Sequence, residues 1–240
     1  MPPTILPEQE TLRERVVFII KSASIALLAL TFSMIQWYLV DFIPAMEQFF
    51  INYFYISLAF GVFGMVALIL FLMTPEIRKT RPFNILLIIL VYEFLILFLI
   101  SILVAATAFE LTVAVLVAVP ILSILYVIGK FCPVDFTSFA IFIIVAIVVF
   151  LVAFITLIIL LSFIKSCIIV TCAATTGLLF TFLFNIYHAQ LLLGGRKEAI
   201  DVSEYLMGSL VIYLDLAYLY VNMLILYKGA GCIGDKTYEN

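Results

Sequence analysis

Residues 85–109 read ILLIILVYEFLILFLISILVAATAF, an apolar run in which Glu93 is the one charged side chain. A helix needs roughly 20 apolar residues to cross the hydrocarbon core of a bilayer. Six further runs have a similar length and composition; they cover 16–40, 51–73, 111–129, 136–161, 166–187 and 205–228. The sequence therefore predicts an all-α integral membrane protein, a bundle of seven transmembrane helices.

The composition of the whole chain supports a lipid environment. Of its 240 residues, 67% are hydrophobic and 11% are charged, and the mean hydropathy is +1.33. A soluble domain is about half apolar and about a quarter charged, so a water-soluble globule could not hide this much apolar surface. The net charge of −3 excludes a basic surface for nucleic acid. A single histidine, His188, excludes a multi-histidine metal site, and we expect neither a resident cofactor nor an enzyme.

The charges also predict domain organisation and orientation. We expect a short cytosolic tail at 1–15, a transmembrane domain at 16–228 and a short non-cytosolic tail at 229–240. With the N-terminus in the cytosol, nine of the 12 lysines and arginines lie on the cytosolic side, as the positive-inside rule requires. Gly194 and Gly195 predict the end of the sixth helix. The sequence Asp201-Val-Ser-Glu204 predicts a capping box before the seventh.

Two carboxylates lie inside the apolar runs, where charge is costly. Glu93 is near the middle of the third run and Asp215 is about ten residues into the seventh. Each would cost about 2.5–3.5 kcal/mol at a helix centre on an insertion scale, so such residues face the bundle interior or a water-filled cavity. They are candidates for an ion pathway. The structural alternative is a protonated carboxyl group that donates a hydrogen bond to a neighbouring helix.

Helical spacing brings further polar residues toward Asp215. In the seventh run, Gly208, Asp215 and Asn222 are seven residues apart and share one stripe, with Tyr218 nearby. In the sixth run, Asn185 and His188 share a face. We predict a polar core between the third, sixth and seventh helices. Its principal titrating group would be Asp215 and its supporting carboxyl Glu93. His188 would be the partner of Asp215, although a histidine near a helix end is as often merely interfacial.

Four segments of the chain resemble the Bax inhibitor / Lifeguard (transmembrane Bax inhibitor motif) family, in the family's order. The longest are GLLFTFLFNIYHAQLLLGG at 177–195 and SEYLMGSLVIYLD at 203–215. They are similar to the family's Tyr-Asp-Thr-Gln motif, its Gly-rich turn and its Leu-Tyr-Leu-Asp. The others are IRKTRPFN at 77–84, which precedes Glu93, and DFT at 135–137.

The resemblance implies a seven-helix bundle with the last helix central. It also implies a calcium leak, negative regulation of apoptosis, and residence in the endoplasmic reticulum or Golgi, with the plasma membrane as the alternative. Membrane lipid and apoptosis-regulating or calcium-channel proteins are the implied partners. Calcium would be the transported ion, and Asp215 and Glu93 its expected contacts.

One position departs from the family pattern. Bacterial relatives carry an aspartate pair on helices six and seven that resembles a pH-responsive latch, and Asp215 matches the helix-seven member. His188 stands where the helix-six aspartate is expected. Two carboxylates repel when both are ionised, whereas a histidine and an aspartate attract when both are charged. The interaction between the two charged groups of such a latch would therefore change from repulsion to attraction.

Two other functions remain open on the sequence. A non-conducting regulator of cell death would act through protein partners. An intramembrane hydrolase would use Ser209 and His188, but no nucleophile elbow surrounds Ser209, and close helix packing explains the Gly208-Ser209 pair better. A disulfide between Cys167 and Cys232 is also left open, because sequence does not give the distance that it needs.

Overall fold

The computed structural model describes residues 12–104, 106–139, 145–146, 149 and 167–234, and the regular elements in these ranges are helical. The elements are α1 (Leu12–Phe42), α2 (Pro44–Asn52), α3 (Phe54–Met73), α4 (Pro75–Lys79), α5 (Phe83–Leu103), α6 (Ala108–Phe131), a 3₁₀ turn (Phe136–Phe139), α7 (Cys167–Leu193) and α8 (Tyr205–Gly234). Helices α7 and α8 correspond to the sixth and seventh predicted runs. The predicted fifth run, 136–161, lies almost wholly outside the described residues.

Six of these helices are long and apolar enough to cross a membrane, namely α1, α3, α5, α6, α7 and α8. Their outward faces carry large apolar side chains, such as Leu28, Phe63 and Leu116, each more than half exposed. In water such a surface would be strongly unfavourable, whereas in lipid it is the expected exterior. The prediction of an all-helical membrane protein is confirmed at this level, with six candidate spans in the described part of the chain.

The boundary between the third and fourth predicted runs was wrong. Helix α5 ends at Leu103 and α6 begins at Ala108, so Phe109 belongs to the first turn of α6. The cause is a capping box. Thr107 Oγ1 accepts a hydrogen bond from Glu110 N, and Glu110 Oε2 accepts one from Thr107 N at 2.8 Å. Because the residues around it are apolar, hydropathy alone did not reveal this helix start.

The outer ends of the bundle also differ from prediction. Helix α1 begins at Leu12 and α8 continues to Gly234, so both predicted tails are partly helical. Helix α7, by contrast, runs to Leu193 and includes His188, as predicted. It stops where predicted, at Gly194 and Gly195, whose φ angles are 68° and 75°.

The predicted capping box at residues 201–204 is not formed. Asp201 Oδ1 accepts a hydrogen bond from Ser203 N at 2.8 Å, whereas a capping box would need one from the N–H of Glu204. Glu204 instead pairs with Arg78, whose Nε lies 3.2 Å from Glu204 Oε1. The hydrogen bonds from Ser203 hold the pKa of Asp201 below its usual value. Glu204 therefore forms an ion pair with α4 and does not take part in a local cap.

The most buried of the six long helices is α8, which packs against α1, α5, α6 and α7. In its most apolar stretch 67% of the residues are buried, against 28–44% in the other five. Small residues allow close approach, since a Cβ on Gly208 would lie 2.5 Å from Ser22 Oγ of α1. Likewise, a Cβ on Gly177 would overlap Asn222 Oδ1 of α8. Glycine at these positions lets the helix backbones meet.

Basic residues collect at one end of the bundle and tie its loops together. The buried Arg15 donates through Nη1 to the carbonyls of Leu192 and Ile200, at 3.2 and 2.8 Å. Arg196 donates to the Cys132 carbonyl. With the Arg78 pair, these contacts join the start of α1 to the connections before α5, after α6 and after α7. We refer to this end as the basic end.

At the basic end, Asp135 links the turn after α6 to the turn after α7. Asp135 Oδ1 accepts from Thr137 Oγ1 at 2.6 Å, and Oδ2 accepts from Lys197 N at 3.3 Å. These bonds, that from Thr137 first, hold the pKa of Asp135 below its usual value. A carboxylate whose pKa is lower in the folded state than in the unfolded state stabilises the fold at pH values above its unfolded-state pKa of about 3.9. This stabilisation is lost as the pH falls through the folded-state pKa.

We therefore expect the turn after α7 to loosen below about pH 4. Hydrogen exchange of the 194–200 backbone, corrected for intrinsic rates, should rise several-fold between pH 5 and pH 3. In Asp135→Asn the hydrogen exchange of this segment should already be fast at pH 5 and should change little when the pH is lowered to 3. Equal exchange in both proteins at pH 5 would show that Asp135 does not hold this turn.

Candidate functional site

Asp215 lies at the centre of a buried polar cluster between α6, α7 and α8. Its side chain is 3% exposed, and its Oδ1 lies 2.6 Å from Nδ1 of His188. Its other oxygen, Oδ2, accepts a hydrogen bond from the Tyr126 hydroxyl at 2.8 Å. The Asn185 amide, with its nitrogen toward the carboxylate, donates to Oδ1 at 3.1 Å. We call Asp215, His188, Asn185 and Tyr126 the Asp215 cluster.

Helical spacing explains how α7 supplies two members of the cluster. Asn185 and His188 are three residues apart and lie on the face of α7 that packs against α8. The His188 ring is held edge-on to Phe184, with the ring centroids 4.4 Å apart. Its side chain keeps 14% exposure, so it is the wetter partner of the pair. The predicted contact between His188 and Asp215 is present in the structure.

Tyr126 is the member that the sequence analysis missed. It lies in the second-last turn of α6, one turn before Gly129, where α6 packs closely against α7. A Cβ on Gly129 would lie 2.6 Å from Ala189 Cβ and 2.9 Å from the Ile186 carbonyl oxygen. A tyrosine three residues before a glycine in an apolar run is a weak signal that the hydroxyl faces a helix contact.

Gln190 also escaped the sequence analysis, although it lies in the motif segment. It is 1% exposed, and its Nε2 donates to the Val134 carbonyl at 2.7 Å. Its Oε1 accepts from Phe136 N at 2.8 Å. The amide therefore fastens the turn after α6 to α7, two residues along the chain from His188.

The arrangement of donors has a clear chemical consequence. An ionised carboxylate only accepts hydrogen bonds, and each of the three neighbouring groups can donate one. Two acceptor positions of Oδ1 and one of Oδ2 are thus already used. Calcium takes six to eight oxygen ligands in proteins. Within the described ranges no group of three or more His, Cys, Asp and Glu side chains comes together to hold a metal ion. In this conformation the Asp215 cluster is a closed polar contact.

Glu93 does not join this cluster, contrary to the prediction of one shared core. It pairs with Gln36 of α1, whose Nε2 lies 3.1 and 3.3 Å from the two carboxylate oxygens. Two other polar contacts lie on the same side of α8: Ser33 Oγ with the Tyr213 hydroxyl at 2.9 Å, and Tyr92 with Ser209 at 3.0 Å. The polar residues thus form two separate groups on different faces of α8, which spacing along one helix could not distinguish.

The remaining predicted members support packing and not the Asp215 cluster. Gly208 lies against Ser22 and Phe18 of α1. Asn222 donates through Nδ2 to the carbonyl of Tyr218 at 2.8 Å, one turn earlier in its own helix. It meets α7 at Gly177. The expected stripe of residues 208, 215 and 222 exists, but Gly208 faces α1, whereas Asp215 and Asn222 face α7.

The two groups invoked for a hydrolase have different partners. Ser209 Oγ binds the Leu206 carbonyl at 2.7 Å and the Tyr92 hydroxyl, whereas Nδ1 of His188 binds Asp215. Nucleophilic catalysis needs the base within hydrogen-bond reach of the hydroxyl. The side chains of Cys167 and Cys232 lie outside the described part of the structure, so the suggested disulfide remains open.

Comparison with known proteins adds no family assignment to this geometry. A scan against protein-family models finds none that matches the chain, and a search of curated proteins finds no match either. The functional argument therefore depends on the residues of the Asp215 cluster and their surroundings.

Proposed function

We propose that the protein is an endomembrane protein of the Bax inhibitor / Lifeguard type that passes calcium in a pH-influenced leak and so restrains apoptosis. The observation that carries the proposal is the contact between the buried Asp215 and the partly buried His188, with 2.6 Å between its nitrogen and oxygen. Ionisable residues inside membrane bundles mark ion and proton pathways by default, and cation pathways use carboxylates.

The proposal includes seven crossings with the basic end in the cytosol. The 3₁₀ turn lies at the basic end, because Thr137 Oγ1 accepts from Glu198 N at 3.2 Å. Helix α7 is about 40 Å long and ends there, so it begins at the opposite end of the bundle. A crossing in the predicted run 136–161 would join the two ends. The burial of α8 supports its place at the centre, and the positive-inside rule supports the orientation.

In the proposed mechanism the Asp215 cluster is the closed gate. A charged imidazole and a carboxylate attract strongly at low dielectric, and protonated His188 would hold α7 against α8. Loss of the proton leaves a hydrogen bond in place of an ion pair, so the contact weakens. Calcium flux should therefore rise with pH.

Calcium efflux from liposomes that hold the purified protein, measured from pH 5 to 8, tests this. Asp215→Asn should lower flux by roughly an order of magnitude at pH 8, because the pathway loses its anionic charge. His188→Asp should raise flux at pH 8 relative to pH 5 more than in wild type, because two ionised carboxylates repel. Glu47→Gln, in the short helix α2 away from the cluster, is the control for removal of one carboxylate and should leave flux unchanged.

The outcomes separate the proposal from its alternative. Wild-type flux that is indifferent to Asp215→Asn would overturn the proposed pathway. No wild-type flux at any pH would favour the non-conducting regulator. The observation that favours this second candidate is that three of the roughly four acceptor positions of Asp215 are already used, which leaves little capacity for an ion. In that case the His188–Asp215 pair would serve to hold a fixed surface for protein partners.

A further inference from the structure

A cleft of about 480 Å³ lies between α1 and α5, on the side of the bundle away from the Asp215 cluster. Its walls are apolar and come from both helices, and its floor is the start of α8; representative lining residues are Ile25, Leu28, Phe32, Ile85, Ile96 and Leu206. From Ile85 to Ile96 it extends about 16 Å along α5. Leu28 is 71% exposed, so the cleft opens sideways toward lipid.

The end of the cleft nearest the basic end is polar and positively charged. Tyr205, the first residue of α8, lines it there. The Arg81 Nη2 donates to the Tyr205 hydroxyl at 2.9 Å, and the Lys21 ammonium lies 5.7 Å from the centre of the Tyr205 ring. Arg81 and Lys21 are both exposed. Two cations, Lys21 of α1 and Arg81 of the turn before α5, thus converge on the mouth of an apolar cleft.

The carboxylate inside the cleft does not cancel this charge. Glu93 lies eight residues beyond Ile85, about 12 Å deeper along α5. It accepts both hydrogen bonds that Gln36 Nε2 offers. The acid nearest the mouth in sequence, Glu204, is paired with Arg78. The cations at the mouth therefore remain available to an anion from outside.

We infer that this cleft binds one anionic phospholipid, with an acyl chain between α1 and α5 and the phosphate between Lys21 and Arg81. The apolar walls match a hydrocarbon chain, and the paired cations match a phosphate at headgroup depth. Basic residues on the cytoplasmic side of transmembrane helices are a recurrent anionic-lipid site. A zwitterionic lipid would fit the walls equally well but would carry no net charge to the mouth. The inference is independent of calcium conduction.

Native mass spectrometry of the detergent-purified protein, titrated with phosphatidylglycerol or phosphatidylcholine, tests the site. Wild type should bind one phosphatidylglycerol more tightly than phosphatidylcholine. The double variant Lys21→Gln/Arg81→Gln should weaken phosphatidylglycerol binding by about 30-fold, because two basic contacts at the surface are removed. Binding of phosphatidylcholine should change little.

Matched controls distinguish a site from diffuse surface charge. Lys130→Gln/Lys197→Gln removes the same charge from exposed positions at the basic end outside the cleft, and should leave binding unchanged. Ala29→Phe fills the cleft without changing charge and should weaken binding, whereas Leu27→Phe on the neighbouring exposed face should not. Equal losses in the two charge variants would overturn the inference, and so would equal affinity of wild type for the two lipids or full binding by Ala29→Phe.

Discussion

Replacing Asp215 by alanine is expected to lower the free energy of unfolding by about 3 kcal/mol. The substitution removes the acceptor that His188, Tyr126 and Asn185 share. Their donors would be left without that acceptor in a region where little water can replace it. Removing one partner of a buried pair is costly for this reason, even where the intact pair adds little. Asp215→Asn keeps a carbonyl oxygen and should lose only about 1 kcal/mol.

Reversible unfolding in mixed dodecyl maltoside and sodium dodecyl sulfate micelles measures both changes. Glu198→Ala removes an exposed carboxylate at the basic end and should leave stability within about 0.5 kcal/mol of wild type. His188→Leu combined with Asp215→Leu would remove the polar groups together and should recover part of the loss. A loss in Asp215→Ala no larger than in Glu198→Ala would show that the cluster is solvated in the folded protein.

Gly129→Ala is expected to destabilise the protein by about 1–3 kcal/mol, although alanine is the better helix former. The new Cβ would lie 2.6 Å from Ala189 Cβ and 2.9 Å from the Ile186 carbonyl oxygen. Neither atom can rotate away, since one is a Cβ and the other is backbone. Helix α6 must therefore move away from α7, and Tyr126, one turn earlier, would move away from Asp215.

The same unfolding measurement has a matched control in another glycine. A Cβ on Gly64 would meet Phe94 Cβ at 3.1 Å, so Gly64→Ala gains helix propensity against a smaller clash and should change stability by less than about 1 kcal/mol. Adding Ala189→Gly to Gly129→Ala removes one of the two clashes and should restore part of the loss. Equal effects of Gly129→Ala and Gly64→Ala would mean that α6 and α7 are not packed this closely.

Hydropathy anticipated the six candidate spans but not their ends. The break before α6 depends on reciprocal hydrogen bonds of Thr107 and Glu110. These bonds do not show in the mean hydropathy of an apolar run. The stop at Gly194 was predictable, because a left-handed backbone favours glycine. Glu204 was misassigned to a local cap because its partner, Arg78, is more than a hundred residues away in the chain.

The candidate site was predictable only in part. The cost of burying Asp215 in lipid is a property of the residue, and so its inward direction followed from the sequence. His188 followed from helical spacing and the presence of a carboxylate on the adjoining helix. Tyr126 did not, because its place depends on how closely α6 approaches α7 at Gly129. Glu93 was assigned to the wrong group, since nothing local shows that this side chain of α5 will meet Gln36 of α1.

Apolar run lengths, helix-stopping glycines and the cost of isolated charges act within one segment, and these established the membrane helices and the inward-facing carboxylates of this chain. The separation of Glu93–Gln36 from Asp215–His188, the entry of Tyr126 and the cleft between α1 and α5 depend on the relative positions of several helices. Those positions follow from side-chain packing between segments far apart in sequence. Only the tertiary structure could determine them, because packing energy is a property of pairs of surfaces and not of single segments.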